Sequence, residues 1–491
     1  MPEVKNIQNL EPVGIRQIPL IDFPEFSDIL IREVRSGKRV LQFFGMQRKD
    51  DIRIFVILAE DAASRLHITS TAIEPGGKYP ALTKHLPSMQ LFERELAESF
   101  GVYPAGHPWL KPVRFHGMRG VYPFFHMKGE EVHEVGVGPV HAGIIEPGHF
   151  RFSCHGEVVD HLEISLGYQH RGVETLFIDR QDHPHTLLRL AESIAGDSVI
   201  GHGGAFVQAM EALSGVSLNR RITSLRAIAL ELERIGNHLG DLSALSADIA
   251  YQTGYAVFGA MRTNIINTSL AICGSRFGRG FLRPGGVTFD LDPELIKQIR
   301  ETLAMIEDRT GLAGEVLFNT SSVMARFEKT GIVTRETAAS IGMVGPAARA
   351  SGLQLDARAD HPYGAYKRFP VHPLTLESGD VFARAYIRYA EIMQSIRMID
   401  ALLSHLESGA IFEKPSALKS DALVVSISEG WRGEIVHTVL TGRNGKLIRY
   451  KIKDPSFNNW TGLALAVREN GISDFPLCNK SFNLSYCGFD L

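Results

Sequence analysis

The sequence predicts an α+β protein, in which a small α+β N-terminal domain is followed by a mainly helical domain with a β-rich portion. Three observations predict it. Short β-type runs at residues 39–44 (RVLQFF) and 52–58 (IRIFVIL) are separated by polar turns, as strands are. Further on, Leu225, Ile228, Leu232, Ile235, Leu239, Leu242, Leu245 and Ile249 recur in steps of three and four, which lays one apolar stripe along a long helix. Beyond them, residues 422–428 and 434–440 return to β-type composition around a turn at residues 442–445 (GRNG).

In chain order, the N-terminal domain takes residues 1–118 and ends after a helical segment at 91–100. Gly101 stops that helix, and Pro104, Pro108 and Pro112 prevent its resumption. Residues 119–133 read as a linker and 134–491 as the second domain. On the long helix Arg234, His238 and Asp241 share a face; the expectation is a solvated flank, with a polar relay as the other reading. A second long helix is expected from about Val381 to Glu407. There is no internal repeat and no low-complexity tract.

With 491 residues, 44% hydrophobic and 22% charged, the chain belongs among globular proteins of more than one domain. Lys and Arg total 52 against 55 Asp and Glu, and the net charge of -3 sets up no field that would gather nucleic acid or an anionic membrane. The first residues have no basic segment followed by an apolar one, so a cytoplasmic location is expected. No stretch reaches the roughly 18 uninterrupted apolar residues of a spanning helix. Membrane contact is therefore expected through partners. Cys154, Cys273, Cys478 and Cys487 form no C-x-x-C pair and are expected to be reduced, mostly buried thiols. The Gly-rich stretches at 201–204 and 278–286 do not make a dinucleotide fingerprint, so a nicotinamide would sit on another subunit.

Residues 91–102 (LFERELAESFGV), with His107 and Pro108, resemble the signature of the complex I thirty-kilodalton subunit family. Residues 138–152 (GPVHAGIIEPGHFRF) and 167–174 (GYQHRGVE) resemble the opening of the complex I forty-nine-kilodalton subunit and of the large subunits of group 4 nickel–iron hydrogenases. Segments 231–241 (ELERIGNHLGD), 356–363 (DARADHPY) and 431–434 (WRGE) extend the likeness over nearly the whole chain. The EPGH form is nearer to the branch that holds hydrogenase-4 and the formate hydrogenlyase large subunit. The resemblance implies a hydrogenase-large-subunit-like second domain whose deep cavity meets an iron–sulfur subunit.

In that family a nickel–iron site needs thiolates from two C-x-x-C motifs, because soft deprotonated sulfur holds the metals. This chain has Ala195 and Ser198 at the first motif, and Ser456 and Asn459 at the second. A methyl group, two hydroxyls and an amide do not replace four thiolates, so no metal is expected here. Complex I relatives also lack these cysteines and hold a quinone headgroup with a His and a Tyr. The resemblance makes His149 or His141 the candidate histidine, while Ser198 stands near the place of the tyrosine. Asp197, Ser198, His202, Ser456 and Asn459 are expected to form a polar pocket, in which His149, Asp197 and His202 deliver protons. Satisfied core histidines are the other reading of His149 and His202. Arg358 and Asp360 are assigned to cofactor binding, with an internal ion pair as the other reading.

The resemblance thus implies a subunit of an energy-converting oxidoreductase complex, peripheral on the cytoplasmic face of the inner membrane. Its implied partners are an iron–sulfur small subunit of the complex I twenty-kilodalton type and membrane ion-translocating subunits. Quinone is the candidate occupant of the pocket, and the iron–sulfur cluster belongs to the partner. A non-catalytic scaffold is the alternative; a hydrogenase with unusual ligands is disfavoured by the missing sulfurs.

Overall fold

Arg39–Gln47, Ile52–Glu60 and Arg65–Ile73 form an antiparallel sheet that Lys5–Ile7 extends at the Arg65–Ile73 edge. The central strand explains why residues 52–58 show no alternation of apolar and polar residues: both of its faces are covered. Ile52, Ile54, Val56 and Leu58 belong to the main core, together with Phe26 and Leu30 of the Phe23–Arg35 helix and Phe92 and Leu96 of the Gln90–Phe100 helix. Phe55 and Ile57 point the other way, into a second core shared with Leu423, Val425, Ile427 and Val436. The computed structural model describes residues 3–114, 122–143 and 145–491. At 46% helix and 19% strand it is an α+β fold, as the sequence predicts.

The residues opposite Phe55 and Ile57 come from a second antiparallel sheet of Leu447–Lys453, Gly433–Thr441 and Ala422–Gly430, edged by Val13–Gly14 from the N-terminal region. The two parts of the chain therefore share a core. Gln42, fully buried, ties them with polar bonds: its Nε2 donates to the Val436 carbonyl at 3.1 Å and its Oε1 accepts from the Thr438 hydroxyl. The predicted boundary at residue 118 lies outside the described residues. Within the predicted linker, the Phe125 N–H donates to Glu163, and Val132–Val137 is a strand paired with His149–His155.

The β-rich segment differs from the sequence reading at its turn. Ala422–Gly430 and Gly433–Thr441 form a hairpin closed by Trp431 and Arg432, and residues 442–445 serve the next connection, into Leu447–Lys453. Gly433 has φ +130, and a Cβ there would stand 2.7 Å from the Gly345 Cα, so only glycine lets the tip press this close.

Arg220–Asp248 is the long helix that the apolar stripe predicts, capped by the Asn219 side chain, which accepts from the Ile222 N–H. It packs between the Gln252–Cys273 and Val381–Ser404 helices. The second helix ends three residues before the expected Glu407. Arg234, His238 and Asp241 are not a solvated flank: the first two have no exposure and the third 2%. The sequence pattern misleads because partners arrive from a distant segment, Glu391 for Arg234 and His238 and Arg388 for Asp241. Among the described residues, no helix is long and apolar enough to cross a membrane. Cys154, Cys273 and Cys478 are buried free thiols, and Cys487 is a half-buried one.

Candidate functional site

A cavity of about 650 Å³ lies where the Arg220–Asp248 and Gln252–Cys273 helices meet the turn at residues 195–198 and the C-terminal segment. Glu146, Asp197, Asp241, Arg262, Lys480 and Cys487 line it. Asn237 and Asp241 reach it together because a step of four keeps both on one side of the helix. The wall thus mixes three carboxyl groups with an Arg, a Lys and a thiol. Burial pushes the Cys487 thiol up to about 12, helped by Glu146 beside it, so it stays protonated.

The four positions where the family pattern calls for thiolates are all buried, and their polar groups are committed. Ser198 lies next to the guanidinium of Arg432, 3.4 Å from Nη1 to Oγ. That guanidinium grips the Asp197 carboxylate with both ends, Nη1 to Oδ1 at 2.5 Å and Nη2 to Oδ2 at 2.8 Å, and its Nε donates to the Asn483 carbonyl. Trp431 stacks under it, centroid 3.9 Å away, and donates its Nε1–H to the Asp197 carbonyl. The hairpin tip therefore packs against the first motif. Ser456 Oγ accepts the Ser485 N–H, while Asn459 bonds both ways to the Val344 backbone, each at 3.0 Å. Burial opposes the charge on Arg432, but Asp197 outweighs it and raises the guanidinium further.

These donors do not fit a nickel–iron centre: one is a methyl, two are neutral hydroxyls and the amide is already paired on both atoms. Among the described residues, no group of three or more His, Cys, Asp or Glu side chains is arranged to hold a metal ion.

His202 stands behind this wall and does not line the cavity. Its Nε2 meets Asp454 Oδ2 at 2.9 Å, its Nδ1 meets His437 Nε2 at 3.1 Å, and His437 Nδ1 meets the Tyr450 hydroxyl at 2.8 Å. Burial drives the Asp454 carboxyl up, but the His202 hydrogen bond and Arg432 hold it below its usual value, so it is an acceptor. A neutral His437 carries one ring proton, so it donates to only one of its two neighbours, His202 or Tyr450, and accepts from the other. Burial holds His437 neutral, with the pull of His202 in the same direction.

Of the expected pocket residues, the structure brings only Asp197 to the cavity surface, its side chain 37% exposed. Ser198, His202, Ser456 and Asn459 form the layer beneath. His141 Nε2 bonds the Gly148 carbonyl at 2.9 Å, and His149 Nδ1 bonds the Gly138 carbonyl at 3.1 Å with its ring near Phe124. Neither lines the cavity; Glu146, between them in sequence, does. Arg358 and Asp360 are not paired with each other. Arg358 forks onto Asp356 and reaches Glu231 at 3.0 Å, while Asp360 accepts the Asp356 N–H and is pushed up to about 6 by burial. Sequence reasoning missed Glu146, Arg432 and Cys487 as site residues. For Arg432 a signal existed: the Gly430-Trp431-Arg432-Gly433 run between two β-type segments marks a tight hairpin that presents its middle residues.

Comparison with known proteins gives two family matches: the respiratory-chain NADH dehydrogenase 49 Kd subunit over residues 248–421, and the respiratory-chain NADH dehydrogenase 30 Kd subunit over residues 22–123. Formate hydrogenlyase subunit 5 of Escherichia coli is 27% identical over 460 residues, which cover 88% of this chain and 81% of that protein. The membrane-bound hydrogenase subunit alpha of Pyrococcus furiosus is 30% identical over 370 residues, 70% of this chain and 84% of that one. An NADH-quinone oxidoreductase subunit of Clostridium beijerinckii is 31% identical over 320 residues, 63% of this chain and 83% of that protein.

Proposed function

Since this chain belongs to the family of complex I forty-nine-kilodalton subunits and membrane-bound hydrogenase large subunits, joined to a thirty-kilodalton-type domain, we propose that it is the large subunit of a complex I-like oxidoreductase that works without a nickel–iron site. The observation that carries this reading is the set of groups at the four motif positions, a methyl, two hydroxyls and an amide, all buried, with the Arg432–Asp197 ion pair built beside the first motif. An ion pair held by Trp431, Asn483 and Ser198 is a built feature of that wall, and it leaves Ser198 beside a cation. The cavity beside it falls in the range that accommodates small organic ligands, and a quinone headgroup is the proposed occupant.

In this reading electrons come from an iron–sulfur cluster on a partner subunit, and membrane subunits couple the step to ion movement. The whole is a hetero-oligomer that is peripheral on the cytoplasmic face of the inner membrane. Glu146 is the proposed group that passes protons at the cavity, beside Asp197 and Asp241, which are paired with Arg432 and Arg388. His202 positions Asp454 behind the wall, and His141 and His149 set the backbone of the loop that carries Glu146.

A scaffold role is the second reading, favoured by the structural bonds that absorb Ser456 and Asn459. One experiment separates the two. With Glu146 and Asp197 replaced by Ala in the intact membrane complex, quinone-coupled electron transfer is expected to fall at least tenfold while assembly persists. Unchanged turnover in an assembled complex supports the scaffold. Recovery of the tagged chain without an iron–sulfur subunit or membrane subunits contradicts both.

A further inference from the structure

Five segments converge on a charge cluster inside the second domain. The Arg220–Asp248 helix brings Glu231, Arg234 and His238, and the Val381–Ser404 helix brings Glu391. Arg349 comes from the short helix Gly345–Ala350, Asp356 and Arg358 from the start of Ala357–Asp360, and Glu429 from the strand Ala422–Gly430. None of these side chains is more than 2% exposed. Arg358 meets Asp356 at 2.7 Å and Glu231 at 3.0 Å, and Arg234 meets Glu231 at 3.2 Å and Glu391 at 3.7 Å. Arg349 meets Glu391 at 2.7 Å, Glu429 at 2.9 Å and Asp356 at 3.6 Å.

The charges do not balance. Arg234, Arg349 and Arg358 face Glu231, Asp356, Glu391 and Glu429, which leaves one excess negative charge in a region without solvent. Uncompensated buried charge is costly, and one bound proton removes it. The neighbouring charges do not supply the balance. Arg388 and Asp241 neutralise each other at 2.6 Å, and Asp360 has its own charged neighbours in Asp61 and Arg39. Tyr366 and Ser395 donate to Glu231 but bring no charge.

Geometry also selects the carrier. His238 bonds Glu391 through Nε2 at 2.9 Å, and its buried Nδ1 has no partner among the described residues, so an imidazolium would strand a charged N–H. Burial keeps His238 in the neutral form. Each carboxylate except Glu429 lies within 4.0 Å of two guanidinium groups, whereas Glu429 has Arg349 alone and the Ala357 N–H.

We propose that this cluster is a proton-loading site that holds one exchangeable proton, carried by Glu429. Burial, reinforced by Asp356, pushes the Glu429 carboxyl up to about 7, where occupancy is sensitive to nearby charge. The same strand ends in the hairpin tip that clamps Asp197. Arg234 donates to the Glu429 and Gly430 carbonyls, and His238 meets Trp431 edge-on at 6.1 Å. Negative charge that arrives in the cavity therefore favours the proton on Glu429, a coupling that rests on the redox reading above. Tyr363 and Ser428 beside Glu429 line a second cavity of about 360 Å³, which brings open space next to the cluster.

The test is infrared difference spectroscopy on the purified intact complex between about pH 6 and about pH 8, either side of the usual transition of a group near 7. The expected result is a protonated-carboxyl band that is lost at the higher pH. It is absent from Glu429→Gln, which still assembles because Gln mimics the neutral acid, while Glu391→Gln loses assembly or melts earlier. No such band in the unsubstituted complex, a band that survives in Glu429→Gln, or failure of Glu429→Gln to assemble overturns the proposal. A second arm reduces the complex at fixed pH: growth of the band supports the coupling to the cavity. A band that titrates with pH but ignores reduction overturns the coupling and leaves the proton site standing.

Discussion

Arg432 and Asp197, 235 positions apart in sequence, face each other through two hydrogen bonds of 2.5 and 2.8 Å. The pair joins the tip of the second sheet to the turn before the Val199–Ser214 helix, and so closes one wall of the cavity. Asp197→Asn removes the carboxylate charge and leaves a buried guanidinium with only Asp454 and Asp241 nearby. Because the Asp197 side chain is over one-third exposed, screening tempers the loss, and about 1–2 kcal/mol is expected. The melting temperature of the assembled complex measures it, and an unchanged value shows that the pair does not hold the wall.

Tyr450 closes the hydrogen-bonded chain that begins on Asp454. Tyr450→Phe keeps the stack on Phe177, whose centroid is 4.0 Å away, but leaves His437 Nδ1 buried without its partner. A cost of about 1–3 kcal/mol is expected for that stranded ring nitrogen. His202→Ala should cost more, since it also removes the hydrogen bond to an ionised carboxylate. Denaturant titration of both variants checks the order, and a reversed order refutes the chain's anchoring on Asp454.

Two buried carboxyl groups set the acid limit. Burial alone would raise Glu231 and Glu434, but Arg358 and Arg234 hold the first at about 2, and Arg39 and Lys453 hold the second at about 2. Both lie below the value of about 4.3 for an unfolded Glu, so each stabilises the fold above that pH and loses its contribution as pH falls toward 2, on the order of 3 kcal/mol apiece. Arg39 belongs to the N-terminal sheet and Glu434 to the second one, so acid should loosen the contact between the two parts. Glu434→Gln is expected to flatten the acid slope and to lower stability at neutral pH. Equal slopes for both proteins contradict this.

How much of this the sequence revealed follows from where each residue finds its partners. The stripe from Leu225 to Ile249 is a local pattern, and it located the long helix to within a few residues. The doubly covered strand at residues 52–58 was legible as a strand, yet nothing local announces that Phe55 and Ile57 pack on Leu423 and Val425. The same limit explains the polar residues. Arg234 and His238 looked like a solvated flank because Glu391 and Glu429, which satisfy them or share their cluster, come from segments more than 150 positions away. His202 and Asp197 stand five apart and were expected in one pocket; the helix that starts at Val199 turns His202 inward while Asp197 remains on the cavity wall. The motif segments identified the family and the substituted thiolate positions, but that Arg432 packs against the first of them depended on a hairpin tip whose turn was assigned one connection too late.

The most direct test is the nickel content of the complex, purified intact from membranes and measured by elemental analysis per copy of this chain. With motifs that offer no thiolate, nickel should be far below one atom per chain, and substitution of Ser198 or Ser456 should leave it unchanged. One nickel per chain, lost on those substitutions, would contradict the account.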